Sequence, residues 1–277
     1  MSWGLTAEVV DLTEIDWATS RSSTTGGALL KARVDEAGET YYYKCPSYSP
    51  GLGFWGVESQ NELVASRLLQ CYGIAHTTYE LVHAMVRHDG SEQVTWVAKS
   101  KSFLAPGEER TSLEATLDAL GSANHENRVR ACKDLGLWES LSQIMIADYL
   151  TVNRDRHGAN IEVLTASDGS VRLAPAFDFG LSLTAPYARA SRETIADIDP
   201  LDDVPVNNYL GSRSLEENLC LAQLDLVSAT VSDSNVDYIT EDLEEAYPSG
   251  HIEKIRDILK ARCRRFENLR DLEERNR

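Results

Sequence analysis

The stretch NRDRHGANIEVLTASDGSVRLAPAFDFG, residues 153–180, decides the fold. It follows KDLGLWESLSQIMIADYLTV (133–152), in which Leu135, Trp138, Leu141, Ile144, Met145 and Leu150 recur at three- and four-residue spacing, so one long helix with a buried face is predicted. NRDRHGAN then crowds two arginines, an aspartate, a histidine and two asparagines into eight positions and ends the apolar pattern. IEVLTASDGSVRLAP reads as a hairpin turning at Asp168-Gly169, and it delivers the chain to Asp178-Phe179-Gly180. Asp155, Asn160 and Asp178 therefore stand in order along a loop, a hairpin and a second loop.

Outward from this stretch the two halves of the chain differ. Residues 1–103 read as strand-rich with one helix. ALLKARV and ETYYYKC flank a turn at DEAG (35–38), and their β-branched and aromatic content predicts a hairpin. ESQNELVASRLLQCYG (58–73) sets Leu63, Val64, Leu68 and Leu69 at helical spacing and stops at Gly73. TTYELVHAMVRH and VTWVAKSK, joined by DGSE, predict two more strands. Residues 104–277 read as amphipathic helices interrupted by the hairpin and by a polar, acidic loop from about Tyr187 to Arg213. The last helix, HIEKIRDILKARCRRFENLRDLEER, aligns Ile252, Ile255, Leu259, Phe266 and Leu269 on one core-facing side. The expected class is α+β, with an antiparallel sheet and one main helix in the N-terminal part and a mostly helical C-terminal part.

Composition narrows the chemistry. The chain has 277 residues, 42% of them hydrophobic, which is enough to bury a substantial core. No apolar window approaches the roughly 18 residues of a membrane span. The acidic start, MSWGLTAEVVDLTEIDW, lacks the basic-then-apolar order of a signal peptide, so a cytoplasmic protein is expected. Five scattered cysteines and six ungrouped histidines suggest neither a disulfide framework nor a transition-metal site. A formal charge of −17 argues against nonspecific binding to nucleic acid or an anionic membrane. Any phosphate-rich ligand must then be held by a few placed cations or metal ions.

Asp155, Asn160 and Asp178 supply such a scheme. In protein kinases a loop aspartate accepts the proton of the substrate hydroxyl, an asparagine five residues later holds Mg2+, and the aspartate of D-F-G holds the metal that bridges the phosphates. Phosphoryl transfer asks the protein chiefly to position groups and neutralise charge, and hard Mg2+ takes oxygen ligands from one or two side chains plus the nucleotide. Two further parts are expected in the N-terminal part. Lys44 ends the strand YYYK and Glu62 lies on the following helix, so a Lys–Glu pair on the phosphates is available; Lys31 and Glu58 are rival choices. The run TSRSSTTGG (19–27), with Thr25, Gly26 and Gly27 just before a strand, permits close approach of backbone N–H groups to phosphate, although it also reads as a simple hairpin turn.

These segments resemble a known family. TTGGALLKA, YYYK, NELVASRLLQCYGI followed by TTYELV, SKSFL, NRDRHGANIEVL and LAPAFDFG are similar to the HipA-like kinases, and within them to the short CtkA-like members, across residues 24–182. The resemblance implies a bilobal protein-kinase-like fold, with an N-lobe at 1–103 and a C-lobe at 104–277, that transfers the γ-phosphate of ATP to serine or threonine. It implies Asp155 as the catalytic aspartate, Asn160 and Asp178 as Mg2+ ligands, Lys44 as the ATP lysine with Glu62 as partner, and Gly26 and Gly27 as the phosphate-covering loop. His157 is given a supporting role beside Asp155. Val97–Phe103, including Ser100 and Phe103, falls at the interlobe hinge whose backbone contacts adenine. Some members autophosphorylate a serine in the glycine-rich loop, and here Ser20, Ser22, Ser23, Thr24 and Thr25 offer acceptors.

Departures from the family are equally specific. The extra N-terminal subdomain of the longer HipA toxins is missing, so their antitoxin contacts and DNA-tethered assembly are not carried over; a protein substrate and a regulatory or antitoxin partner of another kind stay open. No A-P-E element follows DFG. In its place ETIADIDPLDDVPVNNYLG (193–211) is acidic, which by charge complementarity favours a basic target surface, a solvated loop being the plainer reading. Three function classes remain: a Ser/Thr protein kinase, a small-molecule or lipid kinase, since phosphoinositide kinases also use D-R-H-x-x-N, and a nucleotide-binding pseudokinase.

Overall fold

The computed structural model describes residues 4–21, 28–122 and 124–276. Its N-terminal part is a sheet of strands β1 (Leu5–Asp11), β2 (Ala18–Arg21), β3 (Ala28–Glu36), β4 (Glu39–Lys44), β5 (Tyr48–Ser49), β6 (Gly53–Phe54), β7 (Tyr79–His88) and β8 (Ser91–Lys101). Helix α1 (Glu58–Tyr72) packs on β7 and β8. The order is β1-β7-β8-β4-β3-β5-β6, with β2 on β3. The two expected hairpins form: β3 and β4 pair from Lys31↔Lys44 to Glu36↔Glu39, and β7 and β8 from Tyr79↔Ser100 to His88↔Ser91. Their turns use positive φ at Gly38 (86°) and Gly90 (76°), where the absence of Cβ removes the steric cost. The sheet is not wholly antiparallel: β1 lies parallel to β7, a long-range pairing that local pattern does not announce.

Alternation along the sheet builds two cores. On one face Leu81 joins Leu63, Val64, Leu68 and Leu69 of α1 in the main core; on the other, Val82, Ala84 and Val86 pack with Leu30, Tyr43 and Val97, covered by Leu12, Ile15 and Trp17. α1 ends as expected at Gly73, a left-handed cap with φ 69°.

The C-terminal part contains β9 (Glu109–Ser112), α2 (Leu113–Ala119), α3 (His125–Asp134), α4 (Trp138–Thr151), β10 (Asp155–Arg156), β11 (Glu162–Thr165), β12 (Val171–Leu173), α5 (Arg192–Ala196), β13 (Asn207–Asn208), α6 (Leu215–Leu221), α7 (Asp233–Ile239) and α8 (His251–Asn276). The single helix expected over 133–152 is two: Gly136 adopts φ 71° and separates α3 from α4. The apolar period runs across the break because both pieces face the same core. The hairpin at Asp168-Gly169 forms, and β9 joins it as a third strand. The segment 187–213 is largely exposed, as a polar loop should be, but it is also structured. It carries α5 and β13, and α8 fastens it through Lys254, whose ammonium donates to the carbonyls of Ala196 and Ile198, and Arg262, which donates to those of Pro200 and Asp202. α8 buries Ile252, Ile255, Leu259 and Phe266 as its period predicts. All five cysteines are free thiols, and among the described residues no helix is long and apolar enough to cross a membrane.

Candidate active site

The end of β4 and the loop after β12 meet beneath α1. Lys44 Nζ donates to Glu62 Oε1 and to Asp178 Oδ1, each at 3.0 Å. The other oxygen of Glu62 accepts the Phe179 N–H at 2.8 Å, so one buried carboxylate orients both the lysine and the D-F-G backbone. Of the rival choices, Glu58 is committed elsewhere: it accepts from the N–H and hydroxyl of Ser47. Lys31 sits opposite Lys44 in the sheet and lines the same cleft.

These contacts set the charges. Burial alone depresses the Lys44 ammonium, but the carboxylates of Asp178 and Glu62 outweigh it and hold its pKa well above the ordinary lysine value. Burial likewise pushes Asp178 up, yet Lys44 and Lys31, with Arg156 behind them, bring it well below the usual carboxylate range. Glu62 moves the other way: burial raises it, the negative charge of Asp178 adds to the rise, and Lys44 only partly offsets them. Asp178 is thus the firmly ionised carboxylate of the pair.

The loop 153–160 is fixed from below by Arg156. Its guanidinium, 2% exposed, donates from Nε and Nη2 to the Asp148 carboxylate of α4, the closest contact being 2.8 Å. Its Nη1 donates to the carbonyls of Asn160 at 2.9 Å and Phe177 at 2.7 Å. One side chain therefore ties α4, the loop and the segment leading to D-F-G, and its Cζ lies 4.9 Å from the Phe179 ring centroid. Asp148 also accepts from Asn153 Nδ2 at 2.8 Å. Gly158 packs so close to Glu114 and Tyr209 that an added Cβ would lie 2.6 Å from the former's Cβ, and a Cβ on Gly180 would lie 3.0 Å from Glu58 Cβ.

Asp155 is 6% exposed, and its Oδ1 accepts from Asn207 Nδ2 at 3.1 Å across the parallel pair β10–β13. His157 Nδ1 accepts the Ala159 N–H, which leaves Nε2 as the protonated nitrogen, 3.8 Å from Asp155 Oδ2. Asn160 donates its amide Nδ2 to the Asp155 carbonyl at 2.9 Å, which leaves its side-chain oxygen for a cation. Three non-glycine residues with positive φ bracket the loop and D-F-G, namely Val152 (54°), Asp178 (61°) and Leu183 (51°). Backbone held there costs about 1–3 kcal/mol per residue and persists only where surrounding contacts enforce it.

A cavity of about 230 Å³ brings Lys31, Lys44, Glu62, Asp155, His157, Asn160 and Asp178 together. A second, more apolar cavity of about 340 Å³ shares Lys31, Lys44 and Asp178 with it and is lined by Tyr79, Ser100, Phe103 and Phe177. Thr25, Gly26 and Gly27, with the acceptors Ser22, Ser23 and Thr24, lie outside the described residues, as does the side chain of Ser20. Among the described residues no group of three or more His, Cys, Asp or Glu side chains is placed to hold a metal. The available oxygens, the Asp178 carboxylate and the Asn160 amide, therefore fit Mg2+ only as part of a shell that phosphate and water complete.

Several contributing residues carried no motif. Asn61 of α1 donates to the carbonyls of Gly180 and Ser182 and accepts from the Tyr247 hydroxyl at 2.8 Å, so it pins the chain after D-F-G. Asp148 had one legible signal, a lone acid inside the apolar run IMIADYL. Asn207 had none.

Neither a family model nor a curated protein matches the sequence. Among solved structures, a toxin–antitoxin complex of HipA, HipB and operator DNA from Shewanella oneidensis MR-1 aligns at 17% identity and TM-score 0.41, over 91% of this chain and 67% of that one. The proinflammatory kinase CtkA of Helicobacter pylori aligns at 18% identity and TM-score 0.63, over 95% of this chain and 99% of that one. The chain thus has the bilobal, protein-kinase-like fold of CtkA.

Proposed function

We propose that the protein is an ATP- and Mg2+-dependent kinase that phosphorylates serine or threonine of a protein substrate, with residues 1–103 as N-lobe and 104–277 as C-lobe. The observation that carries this reading is the double contact of Lys44 with Glu62 and Asp178 at 3.0 Å, in a cavity that also holds Asp155 and Asn160. The apolar cavity beside Ser100 and Phe103 suits a purine, and a nucleotide bound there would set its phosphates against the shared wall of Lys31, Lys44 and Asp178. Asp155, oriented by Asn207, accepts the proton of the acceptor hydroxyl as the hydroxyl oxygen attacks the γ-phosphorus, while the bond from that phosphorus to the β,γ-bridging oxygen breaks and ADP leaves. Lys44 neutralises phosphate charge while Glu62 keeps it in place. Asn160 and Asp178 would hold Mg2+, which would supply further neutralisation of phosphate charge. His157 steadies Asp155, and autophosphorylation near residues 20–25 would add a phosphate where it repels bound nucleotide. A cytoplasmic setting fits this chemistry.

The test is incubation of purified protein with γ-labelled ATP and Mg2+, alone and with cell lysate. Label should enter protein, stop when EDTA removes the metal, and fall by about a thousandfold in Asp155→Asn. Label appearing only in small molecules or lipids would assign a different kinase class, and nucleotide binding without any transfer would make the chain a pseudokinase.

A further inference from the structure

A groove of about 670 Å³ opens beside Asp155, and among the described residues its lining contains no carboxylate. Trp55, Pro186 and Pro205 give it apolar walls, Asn207 forms its floor next to Asp155, and Arg154 and Arg213 supply its charge. In a chain with 44 acidic residues against 27 basic ones, such a surface is conspicuous. Neither arginine forms a salt bridge among the described residues. Arg154 Nε is buried without a hydrogen-bond partner there, and burial, only partly offset by Tyr187 and Asp202, lowers its pKa. Behind it lies Arg262, 1% exposed, bonded to carbonyl oxygens and without a salt bridge among the described residues. Asp202 is the acid whose charge Arg154 feels, and it offsets the burial only in part; Asp203 caps α6 through Ser214, Leu215 and Glu216.

We propose that this groove docks an acidic segment of the protein substrate next to the acceptor hydroxyl, with Arg154 and Arg213 as the specificity-determining side chains. The proposal rests on the protein-kinase reading and reverses the basic target that the acidic sequence 193–211 suggests. An extended peptide advances about 3.3–3.6 Å per residue, so a carboxylate two or three residues from an acceptor at Asp155 lies about 7–11 Å from it, on the side where the groove opens. Two arginines that form no salt bridge among the described residues favour that carboxylate, and they repel a lysine in its place.

The experiment compares three peptides with one central serine, identical except for Glu, Ala or Lys at the positions two residues to either side. Binding is read by fluorescence anisotropy on the full chain without ATP, and phosphate transfer is measured in parallel. The Glu peptide should bind about fivefold more tightly than the Ala peptide and the Lys peptide more weakly than both. Arg213→Glu should invert that ranking, Arg213→Lys should keep it, and neither should move the KM for ATP. Equal binding of all three peptides, or a Glu preference that survives Arg213→Glu combined with Arg154→Gln, overturns the docking assignment. Preferential binding without transfer to any acceptor overturns the kinase reading instead and leaves the acidic-segment surface in place.

Discussion

Two ion-pair systems bind the cleft together, and water reaches only one of them. The side chains of Lys44 and Asp178 are 19% and 26% exposed, whereas those of Arg156 and Asp148 are 2% exposed each. A pair at the cleft wall can exchange a partner for a ligand, because solvent and phosphate stabilise whichever charge is released. A sealed pair cannot, since separating it leaves a charge in the interior. The cleft pair is therefore the one suited to the proposed chemistry, and the sealed pair to the floor beneath it.

The largest effect expected from breaking this contrast falls on the sealed pair. Arg156→Met strands Asp148 and frees the carbonyls of Asn160 and Phe177, so urea denaturation should show a loss of about 3–5 kcal/mol. Adding Asp148→Leu should restore more than half of that loss, and failure to do so would mean that the carbonyl bonds, not the ion pair, hold the floor. At the cleft, Lys44→Ala should reduce phosphate transfer by about a hundredfold to a thousandfold. Water can take over Asp178, but Glu62, with its side chain 2% exposed, loses its counter-charge and keeps only the Phe179 N–H, so the unfolding free energy should fall by about 1–3 kcal/mol, less than for Arg156→Met. The smallest effect is expected at Tyr247→Phe, which removes one hydrogen bond to Asn61 and should cost about 1 kcal/mol in denaturant titration, with a lesser drop in transfer.

Local grammar made much of this legible. The helix 58–73, the hairpins at 35–38 and 89–92, and the order Asp155, Asn160, Asp178 are short-range patterns, and each lies in the structure as an element or a shared cavity. Lys44 and Glu62 were readable as a pair because strand-then-helix order limits their geometry. What escaped is long-range. β1 pairs with β7 across some seventy residues, Asn207 reaches Asp155 from β13, and Tyr247 reaches Asn61 from the chain's far end. None of these contacts leaves a periodic trace. The break at Gly136 escaped for the opposite reason, because the apolar repeat on both sides disguised a turn as continuity.

Helix α1 carries a consequence for how the proposed kinase could be governed. Nearly all of its surface is enclosed, and its polar side chains reach the C-lobe: Gln60 donates to the Ala246 carbonyl, Arg67 to those of Ile239 and Glu241, and Asn61 to the chain after D-F-G. Swinging this helix outward, a lever that would separate Glu62 from Lys44, would strand all of those donors in a dry interior. Control is thereby confined to the open side of the cleft, where a lid, a blocker or a covalent mark can halt turnover while the wall behind stays still.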